Sequence, residues 1–341
     1  QELTNIGSSS DVMVVEHEIL LKRRYEDKEY SEGGVIYLDM GEQKRNPDAY
    51  EEVLSYGKKE GLTIIPFTID ENSLATIKSL GGNGKNMYYL GLLGSIFNLE
   101  KSALELTIRE TFKKLSVEKL DQNISIFYSG FDYGASIVAD PYEIARADAK
   151  ENSILLDGNT AMAMGIIDSG IKLFSGYPIT PASTIMHTLA RQFPSYGGIV
   201  HQAEDEISAI GAVIGSYYAG VPAITATSGP GLSLKQEFIG LSSVSEVPCI
   251  VIDVQRGGPS TGLPTRTEQG DLFAAAFGSH GDSAKVVLSV SNVEDCFYAP
   301  HIARYLTEKL RVPVIILSDY MTSVSYRVMD ELSLMEMKDS A

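Results

Sequence analysis

Four short segments hold most of the residues whose types could do chemistry: Gly176–Pro181 (Gly-Tyr-Pro-Ile-Thr-Pro), His201–Glu206, Thr227–Gly231 and Arg256–Arg266. In the first, Pro178 disfavours helix at Tyr177, and Pro181 can take the first helical position with Thr180 as N-cap. Capping alone accounts for the threonine, yet the two prolines also hold a hydroxyl rigidly at the end of an apolar run. In the second, Glu204-Asp205-Glu206 opens the small, apolar stretch Ile207–Gly215, with no Lys or Arg nearby in sequence. Acidic residues there complement a helix dipole. A carboxylate heading a buried helix also has a raised pKa unless paired, which suits proton exchange with a ligand nitrogen. Arg256 follows Ile250–Gln255 and leads into Gly257-Gly258-Pro259. It can receive a carboxylate in bidentate fashion or form an ordinary ion pair with Asp253 or Glu268.

Other motifs carry less. Gly258-Pro259-Ser260-Thr261-Gly262 matches G-x-S-x-G, but a nucleophile elbow needs a sharp strand–Ser–helix turn. Here Pro259 stiffens the position before Ser260, and Leu263-Pro264-Thr265 follows instead of a helix. Asp295 and His301, around one expected helix start, make a poor relay for a serine acyl hydrolase. His201 reads as a hydrogen-bonded structural histidine, since none of the 5 histidines stands at metal-ligand spacing. Gly81-Gly82-Asn83-Gly84 is not a Walker loop, because Ser79 and Asn86 stand where that motif needs Gly and Ser/Thr.

The elements that must position these segments form an alternating α/β pattern. Ile171–Ser175, Ile199–His201, Ala223–Thr227, Cys249–Val254, Val286–Val290 and Val312–Leu317 read as strands. They lack polar alternation, as in a parallel, doubly wound sheet covered on both faces. Helices are expected at Asn159–Ser169, Pro181–Phe193, Glu206–Ala219 and Cys296–Leu310, the last with Pro300 in its first turns. In such folds ligands sit beyond the carboxyl ends of the strands, where all four segments fall. Ahead of them, residues 1–150 read as a smaller α/β unit. Strands are expected at Gly34–Leu38 and Leu62–Phe67. A helix over Pro47–Lys58 follows Asn46 as cap, and another carries Tyr89 to Phe97. The next, with Leu104, Ile108 and Phe112, starts at Asn98 or Ser102, and a third lies between Val117 and Tyr133. The polar stretch Ala147–Asp157 is the junction, residues 151–330 the second domain, and 331–341 a tail or the start of a further domain.

Composition narrows the function classes. With Lys+Arg 28 against Asp+Glu 45, the net charge is −17, which repels phosphate backbones. The one basic cluster, Lys22-Arg23-Arg24, is followed at once by Glu26, Asp27 and Glu29, so a nucleic-acid partner is not expected. The 2 cysteines, Cys249 and Cys296, are too few for a four-cysteine iron–sulfur cluster or a zinc ribbon. Cys249 lies in an apolar run, as a reduced, buried thiol would. No stretch has the length of a membrane span, no secretory segment opens the chain, and a cytoplasmic location is expected. The opening Gln1 fits a processed product or a piece of a longer chain.

Taken together, the four segments resemble the alpha chain of 2-oxoacid:ferredoxin oxidoreductases, thiamine-diphosphate enzymes that split 2-oxoacids. Tyr177–Pro181 is similar to that family's pentapeptide, and Glu206 with Gly211-Ala212-Val213 to the glutamate-led helix of its pyrimidine-binding domain. Gly229-Pro230-Gly231 and Arg256–Thr265 are similar to two further loops, and residues 85–135 to the end of the family's gamma domain. The resemblance implies that Glu206, with Glu204 as runner-up, hydrogen-bonds the aminopyrimidine ring. Tyr177, Pro178, Ile179, Ser228 and Gly229 would line the cofactor. Thr180, Arg256 and Thr265 would hold the 2-oxoacid, and Glu206, Thr180 and Arg256 would be the catalytic set. It further implies coenzyme A as acyl acceptor and ferredoxin as electron acceptor. A beta subunit would supply the Mg2+ and [4Fe-4S] sites in a dimer of heterodimers. The substrate would be 2-oxoglutarate or pyruvate, the reaction oxidative decarboxylation to acyl-CoA and CO2, and the chain active only with its beta subunit. No Gly-Asp-Gly followed by Asn is present, consistent with diphosphate binding elsewhere. A non-catalytic assembly subunit with the same fold is the competing reading.

Overall fold

The computed structural model describes residues 8–138, 141–144 and 153–329. The chain divides into two compact units, residues 1–147 and 148–341. The expected tail at 331–341 and most of the expected junction lie outside the described residues.

In the first unit, β1 (Ser10–Val15), β2 (Tyr30–Asp39) and β3 (Thr63–Phe67) form a parallel sheet in the order β1-β2-β3. Strand alternation splits β2 between two cores. Ile36 and Leu38 pack with Leu21 and Tyr50 from α1 (Glu18–Glu26) and α2 (Pro47–Lys59), while Tyr37 packs with Leu92 and Phe127. Those last two come from α4 (Lys85–Ile96) and α6 (Val117–Ile137), between which lies α5 (Lys101–Thr111); α3 (Glu71–Ser79) precedes them. α4 and α6 cross through glycines: a Cβ at Gly91 would lie 2.1 Å from the Phe127 carbonyl oxygen, and one at Gly130 would lie 2.0 Å from that of Tyr88. β1, α1 and α3 were not anticipated from the sequence. The cap of α5 is Glu100 rather than Asn98 or Ser102. Asn98 lies in the left-handed region at φ 46°, and the Ser102 hydroxyl is spent on the Glu100 carboxylate at 2.6 Å. Asn46 precedes α2 as expected, but its side chain donates to Glu18 rather than capping.

In the second unit a six-stranded sheet runs β6-β5-β7-β8-β10-β9. Its strands are β5 (Leu173–Gly176), β6 (Ile199–Gln202), β7 (Ala223–Thr227), β8 (Cys249–Gln255), β9 (Val286–Ser289) and β10 (Pro313–Asp319), all paired in parallel. Every residue of β7, β8 and β10 is buried, so both faces are covered and the doubly wound class holds. The helices are α7 (Gly158–Asp168), α8 (Ser183–Gln192), α9 (Glu206–Tyr218), α10 (Gly229–Ser245), α11 (Leu272–Phe277), α12 (Val293–Leu310) and α13 (Tyr320–Val324). One core, with Ile166, Phe174, Leu189, Ile250 and Cys296, packs α7, α8 and α12 on one face; the other, with Ile210, Leu232, Cys249 and Val251, packs α9 and α10 on the opposite face. The two cysteines are free, buried and in different cores.

Three helix starts differ from the sequence reading, each because of a local hydrogen bond. α12 begins at Val293, since Asn292 Oδ1 accepts from Asp295 N at 2.8 Å; Pro300 is therefore interior. α7 begins at Gly158, with Asp157 accepting from Thr160 N. α8 begins at Ser183 with Ala182 as N-cap, not at Pro181 with Thr180. There Ser183 N bonds the Ile179 oxygen at 2.9 Å, and Asn159 Nδ2 holds the Pro181 oxygen at 2.9 Å, so one turn precedes the helix. β4 (Ile154–Asp157), placed in the junction by composition, pairs antiparallel with β11 (Tyr326–Met329).

Candidate active site

β6 lies on one side of β5 and β7 on the other, so the strand order reverses between β5 and β7. A crevice opens at such a point, beyond the carboxyl ends of the strands. The four chemistry-bearing segments leave β5, β6, β7 and β8, which are consecutive neighbours there.

Glu206 is the first residue of α9 and is 9% exposed, whereas Glu204 and Asp205 are exposed. Asp205, not Glu206, caps the helix, accepting from Ser208 N at 2.7 Å. The capping explanation for the acidic cluster is thus used up by its middle member. Glu206 is left as a buried carboxylate with no hydrogen-bonding role in the helix, and burial separates it from Glu204. Its carboxylate lies over Gly231 in the first turn of α10. A Cβ there would meet Glu206 Oε1 at 3.1 Å and Thr227 Oγ1 at 2.0 Å, so only glycine lets these segments approach. Ser228, N-cap of α10 by position, is fully buried, and its Oγ has no hydrogen-bond partner.

Arg256 forms the second cluster. It is 8% exposed, with one terminal nitrogen donating to the Thr180 oxygen and the other to the Thr261 oxygen, each at 2.6 Å. The guanidinium thus ties the loop after β5 to the loop after β8, and its buried Nε has no partner among the described residues. Neither Asp253 nor Glu268 takes it as an ion pair: Glu268 accepts from Gly258 N instead. Thr180 is exposed beside this clamp, as are Tyr177 and Pro178, while Ile179 packs into the core. Thr265 is exposed on the same long loop, where Gly257 N and Leu263 N close a turn through the Arg266 and Gly257 oxygens. The structure draws Thr180 and Arg256 together and Glu206, Thr227 and Gly231 together. Thr265 has no hydrogen bond to either cluster among the described residues.

Two earlier alternatives do not assemble. Ser260 is exposed at φ 57° in a loop, with α11 starting only at Leu272. His301 is buried inside α12, bonded to Asp168 at 2.7 Å, while Asp295 accepts from Ser291. His201 holds the Ser175 hydroxyl at 3.1 Å and ties the ends of β5 and β6 together, as a structural histidine does.

Sequence reasoning missed one ionisable group at this edge and considered another only as an ion-pair partner of Arg256. Lys235 on α10 is fully buried, with Nζ donating to the Glu206 main-chain oxygen at 2.6 Å. The other is Asp253 on β8, fully buried, with neither carboxyl oxygen hydrogen-bonded. Burial, reinforced by neighbouring Asp271, pushes its pKa well above the carboxylate range, and burial raises that of Asp271 too. The apolar run Cys249–Val254 signalled a strand and hid the charge within it. A raised folded-state pKa means that Asp253 favours folding below its unfolded pKa and progressively less as pH climbs towards its folded value. The slope is at most about 1.4 kcal/mol per pH unit for one group. Asp253→Asn, which needs no proton, is expected to lose less stability than the wild type between pH 5 and pH 8. Urea unfolding at both pH values checks this, and parallel losses would contradict it.

Among the described residues, no three His, Cys, Asp or Glu side chains converge as a metal site, and no helix is long and apolar enough to cross a membrane.

Residues 164–339 match the family model described as pyruvate flavodoxin/ferredoxin oxidoreductase, thiamine diP-binding. The chain is 36% identical over 336 residues to the Mycobacterium tuberculosis 2-oxoglutarate oxidoreductase subunit KorA, covering 93% of this chain and 51% of that one. It is 49% identical over 164 residues to the Methanothermobacter marburgensis 2-oxoglutarate synthase subunit KorA, covering 48% of this chain and 44% of the relative. Its structure is similar to 2-oxoglutarate:ferredoxin oxidoreductase from Magnetococcus marinus, solved with 2-oxoglutarate, coenzyme A and succinyl-CoA bound. The TM-score is 0.82 at 37% identity, over 97% of this chain and 56% of that one. The chain thus spans about half the length of the relatives it matches. With its glutamate-headed helix and arginine-clamped loops at one sheet edge, the chain belongs to the pyruvate flavodoxin/ferredoxin oxidoreductase family through its thiamine-diphosphate-binding domain.

Proposed function

We propose that this chain is the pyrimidine-binding part of the alpha subunit of a 2-oxoacid:ferredoxin oxidoreductase. The acid used is 2-oxoglutarate, the substrate in the names of the similar proteins from three organisms. The products are succinyl-CoA, CO2 and reduced ferredoxin, and the reverse carboxylation is open to the same site. The observation that carries this reading is Glu206: a buried carboxylate released from capping by Asp205 and set over a glycine that no side chain could replace.

The residues present fit thiamine diphosphate. The aminopyrimidine needs a buried carboxylate and further polar partners in a narrow space. Glu206, the unpartnered Ser228 hydroxyl and Gly231 supply these. Ile179 and Pro178 add apolar surface at the rim. When bound, the cofactor supplies the nucleophilic carbon and the electron sink that cleavage of a 2-oxoacid requires. Glu206 would share a hydrogen bond with a ring nitrogen of the aminopyrimidine and exchange a proton with it at a carboxylate oxygen. Thr180 Oγ1 donates to the 2-oxo group. Arg256 holds the Thr180 backbone in place, and its guanidinium is the cation at this edge that attracts the substrate carboxylate. Thr265, on the loop that Arg256 clamps through Thr261, closes the substrate side. Tyr177, Ser228 and Gly229 line the cofactor side.

The Mg2+-diphosphate site and the [4Fe-4S] cluster belong on a beta subunit, in a dimer of heterodimers located in the cytoplasm. Residues 1–150 act as the gamma-like domain of the same subunit and 151–330 as the pyrimidine-binding domain.

The test is anaerobic viologen reduction by the complex containing this chain, with 2-oxoglutarate, pyruvate or a branched 2-oxoacid. Coenzyme-A-dependent reduction, fastest with 2-oxoglutarate, is the expected result. No reduction with any of the three, in a complex shown to hold thiamine diphosphate and iron, would overturn the proposal.

A further inference from the structure

Lys235 stands in the second turn of α10, is 0% exposed, and donates from Nζ to the main-chain oxygen of Glu206 on α9 at 2.6 Å. Leu232 and Ile239, about one turn before and after it on α10, belong to a buried apolar cluster with Ile210 and Val213 of α9. An ammonium has three donors and is strongly hydrated in water, so an apolar setting that offers one carbonyl is costly. The α9 N-terminus, carrying the positive end of the helix dipole, adds to that cost. Burial accordingly lowers the lysine pKa to about 8. A methionine would fill the same space without this penalty, so packing alone does not explain a lysine here.

The charges that act on Lys235 identify what it answers. Glu206 is the largest favourable influence, with Asp205 and the Cys249 thiol of β8 behind it. Asp205 is exposed and occupied with capping, and burial pushes the thiol up to about 12, so the thiol is uncharged. The remaining carboxyls at this edge, Asp253 and Asp271, hold their protons more tightly than usual and influence each other. Glu206 is the one buried carboxylate left as a counter-charge among these groups.

We propose that Lys235 is a positioning residue for Glu206. It pins the first turn of α9 to α10 through the Glu206 main-chain oxygen, fixing where the Glu206 carboxylate sits, and brings a positive charge near that carboxylate. The coupling is reciprocal, because a cation that favours an anion is itself favoured by it. The inference deepens the proposed role of Glu206 and rests on that reading for its catalytic consequence. Its structural consequence, a pinned α9 head, stands apart from turnover.

The test uses Lys235→Met and Lys235→Gln in the complete enzyme. Lys235→Met is expected to lower kcat about 10–100-fold, the scale seen when an outer partner of an active-site group is removed. KM for the 2-oxoacid should stay within about 3-fold, since Lys235 touches no substrate. In cofactor-free enzyme, deuterium uptake at the α9 head should rise. A lysine whose folded pKa is depressed is unfavourable for folding at pH 7, and that burden fades as pH rises from about 8 towards 10.5. The stability of Lys235→Met relative to wild type should therefore decline over that range. Unchanged kcat and uptake would overturn the proposal. If Lys235→Met does not assemble, the same measurements on Lys235→Gln decide it. A wild-type enzyme inactive on every 2-oxoacid would sink the functional reading instead, leaving uptake and the pH dependence of stability to judge Lys235.

Discussion

Glu206→Gln is expected to slow 2-oxoacid turnover by roughly 10²–10⁴-fold, the usual range when a positioned proton acceptor is lost. Glutamine has almost the same shape and can still form a hydrogen bond, but it cannot take a proton at the pyrimidine ring. The substitution should leave the fold intact, because Asp205 rather than Glu206 caps α9. It also leaves the main-chain oxygen that receives Lys235 in place. Thermal unfolding within a few degrees of wild type, together with collapsed viologen reduction, is the expected pair of results. A non-catalytic assembly subunit would behave differently. Its complex would keep near-wild-type turnover after the same substitution, and that outcome would remove Glu206 from the mechanism. Binding of thiamine diphosphate, followed by calorimetry, should weaken as well, since the carboxylate is a direct partner of the ring.

Arg256→Ala should lower kcat/KM by about 10²-fold or more, the cost of a small misplacement of groups that orient a substrate. The side chain is a brace: its two terminal nitrogens hold the Thr180 and Thr261 oxygens, and both loops lose that tie together. Two part-buried carbonyl contacts would go unmet or turn to water. Apparent KM for the 2-oxoacid is expected to rise, because the guanidinium is the cation at this edge that attracts the substrate carboxylate and holds the loop carrying Thr180. Arg256→Lys should recover little, since an ammonium cannot reproduce a planar fork reaching two oxygens. Wild-type KM combined with lowered kcat would leave the brace and remove the carboxylate contact. Wild-type values for both would remove Arg256 from the site.

Much of the architecture was legible because the parallel sheet is buried on both faces. Mostly apolar runs without polar alternation, such as Ala223–Thr227 and Cys249–Val254, have no other comfortable place. The loops were legible for a related reason. Proline, glycine, hydroxyls and acidic residues collect where strands end, and the handedness of β-α-β units puts those ends on one edge. Elements that depend on partners distant in sequence were less visible. β4 reads as part of a polar junction until β11 pairs with it across the unit. α10 opens with Gly-Pro-Gly, which looks like a breaker but serves as the first turn of a helix.

The candidate site divides the same way. Local spacing in the chain was enough to nominate Glu206, Thr180 and Arg256, since each follows directly from its own strand end. Tertiary packing decided what each does. It gave capping to Asp205 and left Glu206 free, made Arg256, open to a ligand carboxylate or an ion pair by sequence, a fork between two loops, and started α8 two residues past Pro181. It also put a buried lysine beneath Glu206 from 29 residues away, where the sequence around the glutamate offers no cation. The reason is physical. Backbone preference and hydrophobic burial are properties of short segments, whereas the charge and hydrogen-bond state of a buried group depends on which atoms the folded chain brings within about 3 Å of it.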